Sequence, residues 1–370
     1  MPLIPPTASP QHVAIIGAGV AGAAIAHALA QRSVAVTVLD RAAAPAQAAS
    51  GNPVAVFRPL ISRDDNCATR LTRAAFQHAL RHWPTLTGIE WSRCGVLHLA
   101  RDAEAAAKQQ QALAGGAPAA DLARWVDLAE AQALASWPVA SPGVFYPQAG
   151  WVVPASLCRA WLDHPAITLK TGCAVAHLQA ETCGWQLRGA GGTLLAEADA
   201  VVLANARAAL DLMPDQAWPL HTVRGQITRL PPGSLPQIQR VIAREGYVAP
   251  GAGQLLVGAT YEHDDDITPR AASDRANLAR LESILPGAGA QLGDAAVSGR
   301  ASLRATLPDR LPMVGAVDGH AGCFVAAGYA SRGVVWAGVL GDALADLMTG
   351  RPATLDAEVM RAIAPGRFRR

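Results

Sequence analysis

A chain of 370 residues, 51% hydrophobic and 16% charged, is too apolar for an intrinsically disordered protein. A net charge of +2 excludes a protein-wide positive field of the kind that drives non-specific nucleic-acid binding, and 34 glycines and 26 prolines without a period exclude collagen-like repeats. Lys occurs only at Lys108 and Lys170, so any local basic patch must be built from Arg.

Cys67, Cys94, Cys158, Cys173, Cys183 and Cys323 form no C-x-x-C pair and no Cys/His cluster with zinc spacing. They read as free thiols of a reducing compartment, and no metal site is expected. The apolar stretch Val13–Ala30 has no Lys or Arg before it and is interrupted by Gly17, Gly19, Gly22 and His27. It reads as buried strand plus helix rather than a signal or a membrane span. The expectation is a soluble, cytoplasmic protein without a membrane partner.

Residues 1–10 are Pro-rich and read as a loose tail. His12–Gly17, Val20–Gln31 and Val34–Asp40 read as a βαβ unit. A small-residue loop, Ala42–Pro53, precedes a helix near Asn66–Trp83. Gly95–Ala100 reads as a strand, Ala103–Leu113 and Asp127–Ser136 as helices, and Gly143–Val153 as two short strands. Pro154–His164 is helical with Pro in its first turn. Strands follow at Thr168–Leu178, Trp185–Arg188 and Ala198–Asn205. Val223–Leu230, Val241–Pro250 and Gln254–Tyr261 alternate as an antiparallel sheet does. Ala271–Leu285 is a helix, Ala295–Thr306 and Cys323–Ala327 are strands, and Gly333–Gly350 is a long apolar helix with Pro352 beyond its end.

Strands of parallel type at the start, near Val201 and near Val325 enclose antiparallel ones. The predicted fold is therefore α/β, with a Rossmann-type domain interleaved with an antiparallel-sheet (α+β) domain. The expected division is 11–85, 154–215 and 305–370 for the first, and 86–153 and 216–304 for the second.

Gly17-Ala18-Gly19-Val20-Ala21-Gly22 is G-x-G-x-x-G placed between a strand and a helix. Gly17 permits the tight turn, Gly19 lets backbone approach a pyrophosphate, and Gly22 lets helix pack on strand. The helix N-terminus then offers N–H groups to phosphate. Asp40 closes the second strand, where an acid accepts ribose hydroxyls. The bland alternative is a packing turn with Asp40 as a strand-end cap. Two further segments favour FAD over NAD. One is Ala49-Ser50-Gly51-Asn52-Pro53, a small-residue loop suited to pyrophosphate and ribityl groups, or a plain turn. The other is Gly328-Tyr329-Ala330-Ser331-Arg332-Gly333, a second Gly-rich strand-to-helix turn, or simply an N-cap by Ser331.

On these residues the chain resembles the D-amino-acid-oxidase-type flavoproteins, the group containing glycine and sarcosine oxidases. Within that group it is similar to the FAD-dependent oxidoreductase domain of the bifunctional tRNA methylaminomethyl-thiouridine biosynthesis proteins. The strings that carry the resemblance are Ala49–Asn52 with Pro59-Leu60, Asp65-Asn66 with Thr69-Arg70, Arg224-Gly225-Gln226, Gly258-Ala259-Thr260, Pro308–Gly315 and Ser331-Arg332-Gly333. Ala55, Arg58 and Ala330 depart from the family's usual Gly, Tyr and Gly.

The resemblance implies non-covalent FAD, since Ala301-Ser302-Leu303-Arg304 holds no Cys where sarcosine-oxidase relatives attach flavin. The implied cofactor contacts are Gly17, Gly19, Gly22, Asp40, Arg41, Ala49, Ser50, Gly51, Asn52, Val175, Gly328, Ser331, Arg332 and Gly333. It also implies that Arg304 and Tyr247 hold a substrate carboxylate, a task that suits a planar guanidinium and a neutral phenol. The alternatives are an Arg304–Asp309 ion pair and a core Tyr247. Asp264-Asp265-Asp266 reads as a solvated loop rather than a metal site. The basic ending Arg361, Arg367, Arg369, Arg370 reads as a solvated terminus or an RNA contact.

The implied activity is oxidation of an N-substituted glycine. The substrate would be the carboxymethylaminomethyl group of a tRNA wobble uridine, presented by the anticodon loop. The products would be an aminomethyl group and glyoxylate, with a separate methyltransferase as an expected partner. A free glycine, sarcosine or D-amino-acid oxidase, and an inactive flavin-binding subunit, are the alternatives.

Overall fold

The computed structural model describes residues 9–116, 118–293 and 295–369. Of the tail expected over residues 1–10, residues 1–8 lie outside the described residues, as does the terminal Arg370; Pro10 is buried and Ser9 Oγ donates to the Thr349 carbonyl at 3.2 Å, so those two are packed rather than loose.

A six-stranded sheet runs in the order Met313–Ala316, Cys323–Ala327, Ala200–Leu203, His12–Ile16, Ala35–Leu39, Ile167–Lys170. All its pairings are parallel except that of Met313–Ala316 with Cys323–Ala327. Both faces of the central strands are covered, so they read as continuous Val, Ile, Leu and Ala runs. The helices Val20–Ala30 and Gly333–Thr349 pack against each other over one face. Small residues set their approach: a Cβ on Gly341 would stand 2.8 Å from the carbonyl oxygen of Ala24. Trp336, fully buried on the second helix, donates its indole N–H to Thr72 Oγ1 at 3.0 Å and so fastens the Cys67–His82 helix to the same layer.

An eight-stranded sheet takes the order Ser298–Thr306, His221–Leu230, Gln254–Gly258, Tyr247–Gly251, Val241–Ala243, Val96–Leu99, Gly143–Tyr146, Arg124–Val126. Period-2 alternation divides its side chains. Val96, Val144, Tyr146, Ile227, Val241, Ala249 and Leu256 join the large core under the parallel sheet. Leu97, Phe145, Leu230, Ile242, Val248, Leu255 and Val257 form a separate core with residues such as Leu281 and Ile284 of the helix Ala271–Ile284. One face of this sheet is thus turned toward the parallel-sheet layer, and the other is sealed by helices. Two small three-stranded sheets complete the fold: Ala55–Phe57, Gly150–Val152 and Trp91–Ser92, and His177–Glu181, Gly184–Arg188 and Leu194–Ala198.

Several element boundaries differ from the sequence expectation. Thr168–Leu178 is two strands, because Gly172 turns the chain at φ +67° and the second strand pairs into another sheet. Val241–Pro250 is a hairpin of two strands, closed by Arg244 N–H donating to the Gly246 carbonyl at 2.8 Å. The two strands of 143–153 belong to different sheets. Asp264 and Asp266 are not merely solvated: both pair with Arg270, at 2.8 and 3.1 Å. Two residues of the basic ending are neutralised, Arg367 by Asp309 at 2.8 Å and Arg369 by Asp318 at 2.7 Å.

Candidate active site

The parallel strands end at their carboxyl edge in a cluster of turns, the usual ligand crevice of open α/β sheets. Gly17 sits there at φ +108°, where a Cβ would stand 2.7 Å from the carbonyl oxygen of Ala204. A Cβ on Gly22 would stand 1.8 Å from the Gly17 carbonyl oxygen, so Gly22 serves the helix–strand contact. Gly19 is the N-cap of the first helix, and neither a side-chain cap nor an acidic residue occupies that first turn. Ser50 Oγ accepts from Val20 N–H at 3.0 Å, which brings the Ala49–Gly51 turn to the same helix end. Asp40 accepts from the N–H of Ala18 at 2.7 Å and of Ala42 at 2.8 Å. Those two bonds leave lone pairs on both carboxylate oxygens for hydroxyl donors. Arg41 is exposed beside it. Val175 lies in the loop after Ile167–Lys170, which is tied to the Asp40 turn through Cys173 N–H donating to the Asp40 carbonyl at 2.8 Å.

The second Gly-rich turn ends the strand Cys323–Ala327. Gly328 stands at φ +74°, and a Cβ there would meet Leu307 at 2.4 Å. Ser331 does not cap the long helix: it lies within a single 3-10 turn, Ala330–Arg332, and the helix begins at Gly333 without a side-chain cap. The N–H groups of that helix end therefore remain available to a ligand.

The crevice fits a dinucleotide by three signs. Its glycines remove Cβ atoms where backbone must approach. The N-terminus of the Gly333–Thr349 helix offers uncapped donors, and at that of the Val20–Ala30 helix Ser50 engages only Val20 N–H. Asn205 Oδ1, directly after the strand that flanks Gly17, is buried without a hydrogen-bond partner, as is the Tyr329 hydroxyl. Buried orphans of this kind cost about 1–3 kcal/mol each unless a ligand or water meets them.

Arg304 and Tyr247 lie on the face of the eight-stranded sheet turned toward this crevice. Tyr247 pairs with Gly258, Gly258 with Ile227, and Ile227 with Arg300, which places the four in one row. Arg300, Ser302 and Arg304 alternate onto that face. Arg304 is half-buried, its Nη1 is 3.4 Å from the Thr260 carbonyl, and its guanidinium lies 4.7 Å from the centre of the Tyr261 ring. No carboxylate of the described residues pairs with it; Asp309 is taken by Arg367. Burial pushes the Tyr247 phenol up to about 12, against the opposing pull of the Arg304 charge, so Tyr247 is a neutral donor at physiological pH.

Several residues that the sequence reading did not assign to a site also reach this face. Arg58 lies over Tyr146 at 5.3 Å from the ring centre, with Nη1 3.4 Å from its hydroxyl. Desolvation, reinforced by the Arg58 charge, lowers the His98 imidazole to about 3 and keeps it neutral. Arg332 is depressed chiefly by burial and secondarily by the nearby Arg58 charge. Arg300 crosses to the Ala49–Asn52 loop, donating to Asn52 Oδ1 at 2.7 Å and to the Ala48 carbonyl at 2.6 Å. Among the described residues, Arg58, Arg300, Arg304 and Arg332 have no carboxylate within ion-pair distance. The face is therefore cationic and unneutralised, suited to anions. Arg58 had one sequence signal, its departure from the family's Tyr; Arg300 had the alternation Arg300, Ser302, Arg304.

A cavity of about 400 Å³ lies elsewhere, at the far end of the first helix, lined by His27, His78, His82, Trp161 and Asp342. It holds none of the glycine turns or unpaired Arg residues. Among the described residues no group of three or more His, Cys, Asp or Glu is placed to hold a metal ion, and no helix is long and apolar enough to cross a membrane.

The sequence matches the FAD dependent oxidoreductase family over residues 12–347. The chain belongs to this family. It is an FAD-dependent oxidoreductase, with the D-amino-acid-oxidase-like arrangement of a Rossmann FAD-binding layer and an antiparallel substrate sheet. It is 70% identical over 98% of its length to the tRNA 5-methylaminomethyl-2-thiouridine biosynthesis bifunctional protein MnmC of Thiobacillus denitrificans. It is 40% identical over 98% of its length to the protein of the same name from Aromatoleum aromaticum. The chain spans 60% and 61% of those two curated relatives. Among solved structures it is similar to glycine oxidase from Geobacillus kaustophilus (TM-score 0.81, 22% identity, covering 95% of this chain and 98% of that one). Iminodiacetate oxidase from Chelativorans sp. BNC1 gives the same TM-score of 0.81 at 23% identity, covering 95% and 98%.

Proposed function

We propose that the protein removes the carboxymethyl group from 5-carboxymethylaminomethyl-uridine, with or without the 2-thio group, at the tRNA wobble position, releasing glyoxylate. The observation that carries this reading is the 70% identity to the tRNA-modifying bifunctional protein across nearly the whole chain. The unneutralised cationic face supports it, since an N-substituted glycine brings a carboxylate and RNA brings phosphates. The tRNA anticodon loop is thus the partner, a methyltransferase acts on the product, and the enzyme works in the cytoplasm. The chain divides into a cofactor part (11–85, 154–215, 305–370) and a substrate part (86–153, 216–304).

Gly17, Gly19 and the helix end at Val20 hold the FAD pyrophosphate, Asp40 the ribose, and Ala49–Asn52 with the Gly328–Gly333 turn the remainder of the cofactor; Arg41 and Val175 flank it. Bound FAD supplies the two-electron oxidant for the methylene carbon between nitrogen and carboxylate. Arg304 binds that carboxylate through its planar fork, and Tyr247 adds a neutral hydrogen bond. Together they fix which C–H bond is presented. Water then hydrolyses the C=N product to the primary amine and glyoxylate.

The test compares glyoxylate release from tRNA bearing the carboxymethylaminomethyl group with that from free glycine and sarcosine. Efficient turnover of the tRNA is expected. Turnover of the small amines alone would instead assign a free amino-acid oxidase.

A further inference from the structure

We propose that Tyr261 is a stacking platform for a nucleobase of the RNA substrate, standing next to the carboxylate clamp. The proposal rests on the tRNA reading above and names the residue that would separate RNA from a free amino acid.

Tyr261 is 62% exposed, whereas Tyr146 and Tyr329 are 4% and 7% exposed and Tyr247 is half-buried. It is the one aromatic residue among the exposed large hydrophobic side chains of the described residues. An exposed ring on a mobile loop would mean little. This ring is held by backbone on both sides. Thr260 N–H donates to the Gln226 carbonyl at 3.0 Å, and Glu262 and Arg224 exchange two backbone bonds of 2.9 Å. Glu262 is further fixed by the buried Arg224 at 2.6 Å. Tyr261 is therefore an extension of a central strand, and little ordering is left to be done on binding.

Its surroundings point to a nucleobase. The Arg304 guanidinium lies 4.7 Å from the ring centre, so one part of the π surface is already engaged and the rest is open. Arg332 is close enough for the phenol to influence its ionisation, and Arg58 and Arg310 are close to Arg332 in turn. None of these four Arg residues has a carboxylate partner among the described residues. An open aromatic face within a cluster of unpaired guanidinium groups is the combination that binds single-stranded RNA, bases on the ring and phosphates on the Arg residues. A free glycine derivative needs only the clamp and leaves the ring in water.

The experiment uses the flavin-loaded protein and its Tyr261→Ala, Tyr261→Phe and Tyr261→Trp variants. Each is assayed for glyoxylate release from a modified anticodon stem-loop and from sarcosine. Flavin occupancy is measured, as is quenching of 2-aminopurine placed beside the wobble position. For Tyr261→Ala, kcat/KM on the stem-loop should fall roughly 5- to 100-fold, mostly through KM, while kcat/KM on sarcosine stays within about twofold of the wild type. Quenching should be lost in the Ala variant and kept in Phe and Trp. Equal losses on both substrates would make Tyr261 a support for Arg304 and overturn the platform. Flavin loss would make it a cofactor cover, and failure of Phe would make it a hydroxyl donor; either overturns the platform as well. A wild-type enzyme that ignores the stem-loop but oxidises sarcosine sinks the tRNA reading and the platform together. A normal Tyr261→Ala variant of a tRNA-active enzyme sinks the platform alone.

Discussion

A Cβ on Gly225 would stand 2.1 Å from Nη1 of Arg304. The Arg304 guanidinium thus lies flat across the neighbouring strand at the one position without a side chain, with Tyr261 on another side. Alternation explains the rest of the Arg224-Gly225-Gln226 string. Arg224 and Gln226 are fully buried on the opposite side, where Arg224 donates to Glu262 and Gln226 donates to Asp274 Oδ1 at 2.9 Å. Gly225→Ala should therefore move Arg304 and little else, because the clashing atoms are the far end of a flexible side chain. The expected result is a folded, flavin-loaded enzyme whose kcat/KM falls roughly tenfold or more. In an Arg304→Ala background the same change should cost almost nothing further, a non-additivity that a double-mutant cycle measures.

Arg304 itself should behave as a charge-assisted clamp. Arg304→Ala removes an interaction of about 1.5–3 kcal/mol, a roughly ten- to hundredfold loss in kcat/KM. Arg304→Lys should rescue poorly, because an ammonium cannot present two parallel donors. Flavin occupancy should stay at the wild-type level in both. Steady-state glyoxylate assays with flavin absorbance check all three; loss of flavin would move Arg304 out of the substrate role.

The cofactor end can be separated from the fold through its glycines. A Cβ on Gly19 meets only the Ser50 side chain, with Oγ at 3.0 Å, whereas one on Gly22 meets backbone at 1.8 Å. Gly19→Val should give a folded protein that has lost most of its flavin, since the larger side chain fills the space a pyrophosphate needs. Gly22→Ala should cost several kcal/mol of stability as well. Absorbance at the flavin band and a urea midpoint for each variant distinguish the two.

The parallel layer was legible because its strands are buried on both faces and the glycine fingerprint sits at a strand end. The substrate sheet was less so. Val241–Pro250 is one apolar run by composition, and only the Arg244-Glu245-Gly246 tip marks it as a hairpin. Its pairing with Val96–Leu99 joins segments more than a hundred residues apart, which local pattern does not encode. Arg304 and Tyr247 came from family strings. Arg58, Arg300 and Tyr261 escaped because their significance lies in what they lack, a carboxylate partner or a cover, and a sequence does not display absent neighbours.

Ala330 departs from the Gly that the family usually has, and it stands at φ +49°. An L-residue in that region pays roughly 1–2 kcal/mol that Gly does not. Gly returns about 0.4–1 kcal/mol of that to the unfolded chain as entropy. Ala330→Gly should therefore stabilise the protein by roughly 0.5–1 kcal/mol, read as a higher urea midpoint at unchanged slope.

Stability should fall on mild acidification, and the cause lies away from the active site. His82 is lowered to about 4, first by burial and then by the His78 and His27 charges. His27 is lowered chiefly by burial, and its Nδ1 has no partner. The rings lie close together, tilted or edge-on, His27–His82 and His78–His82 each at 5.3 Å and His27–His164 at 6.4 Å. The charged neighbours are Asp342, which holds His78 at 2.8 Å, and Arg32, which pairs with Asp342 at 3.1 Å. A histidine whose folded pKa lies below its unfolded value near 6.5 binds protons more readily when unfolded. Its contribution is fully present above about pH 6.5 and is lost as pH falls from there toward about 4. His82→Gln keeps an acceptor for the Trp161 indole N–H, which reaches His82 Nε2 at 3.3 Å, but cannot titrate. The wild-type Tm should drop between pH 7 and pH 5 while the variant's drops less. Parallel Tm profiles for the two proteins would place the acid sensitivity elsewhere, with His98, lowered to about 3 by desolvation, the next group to replace.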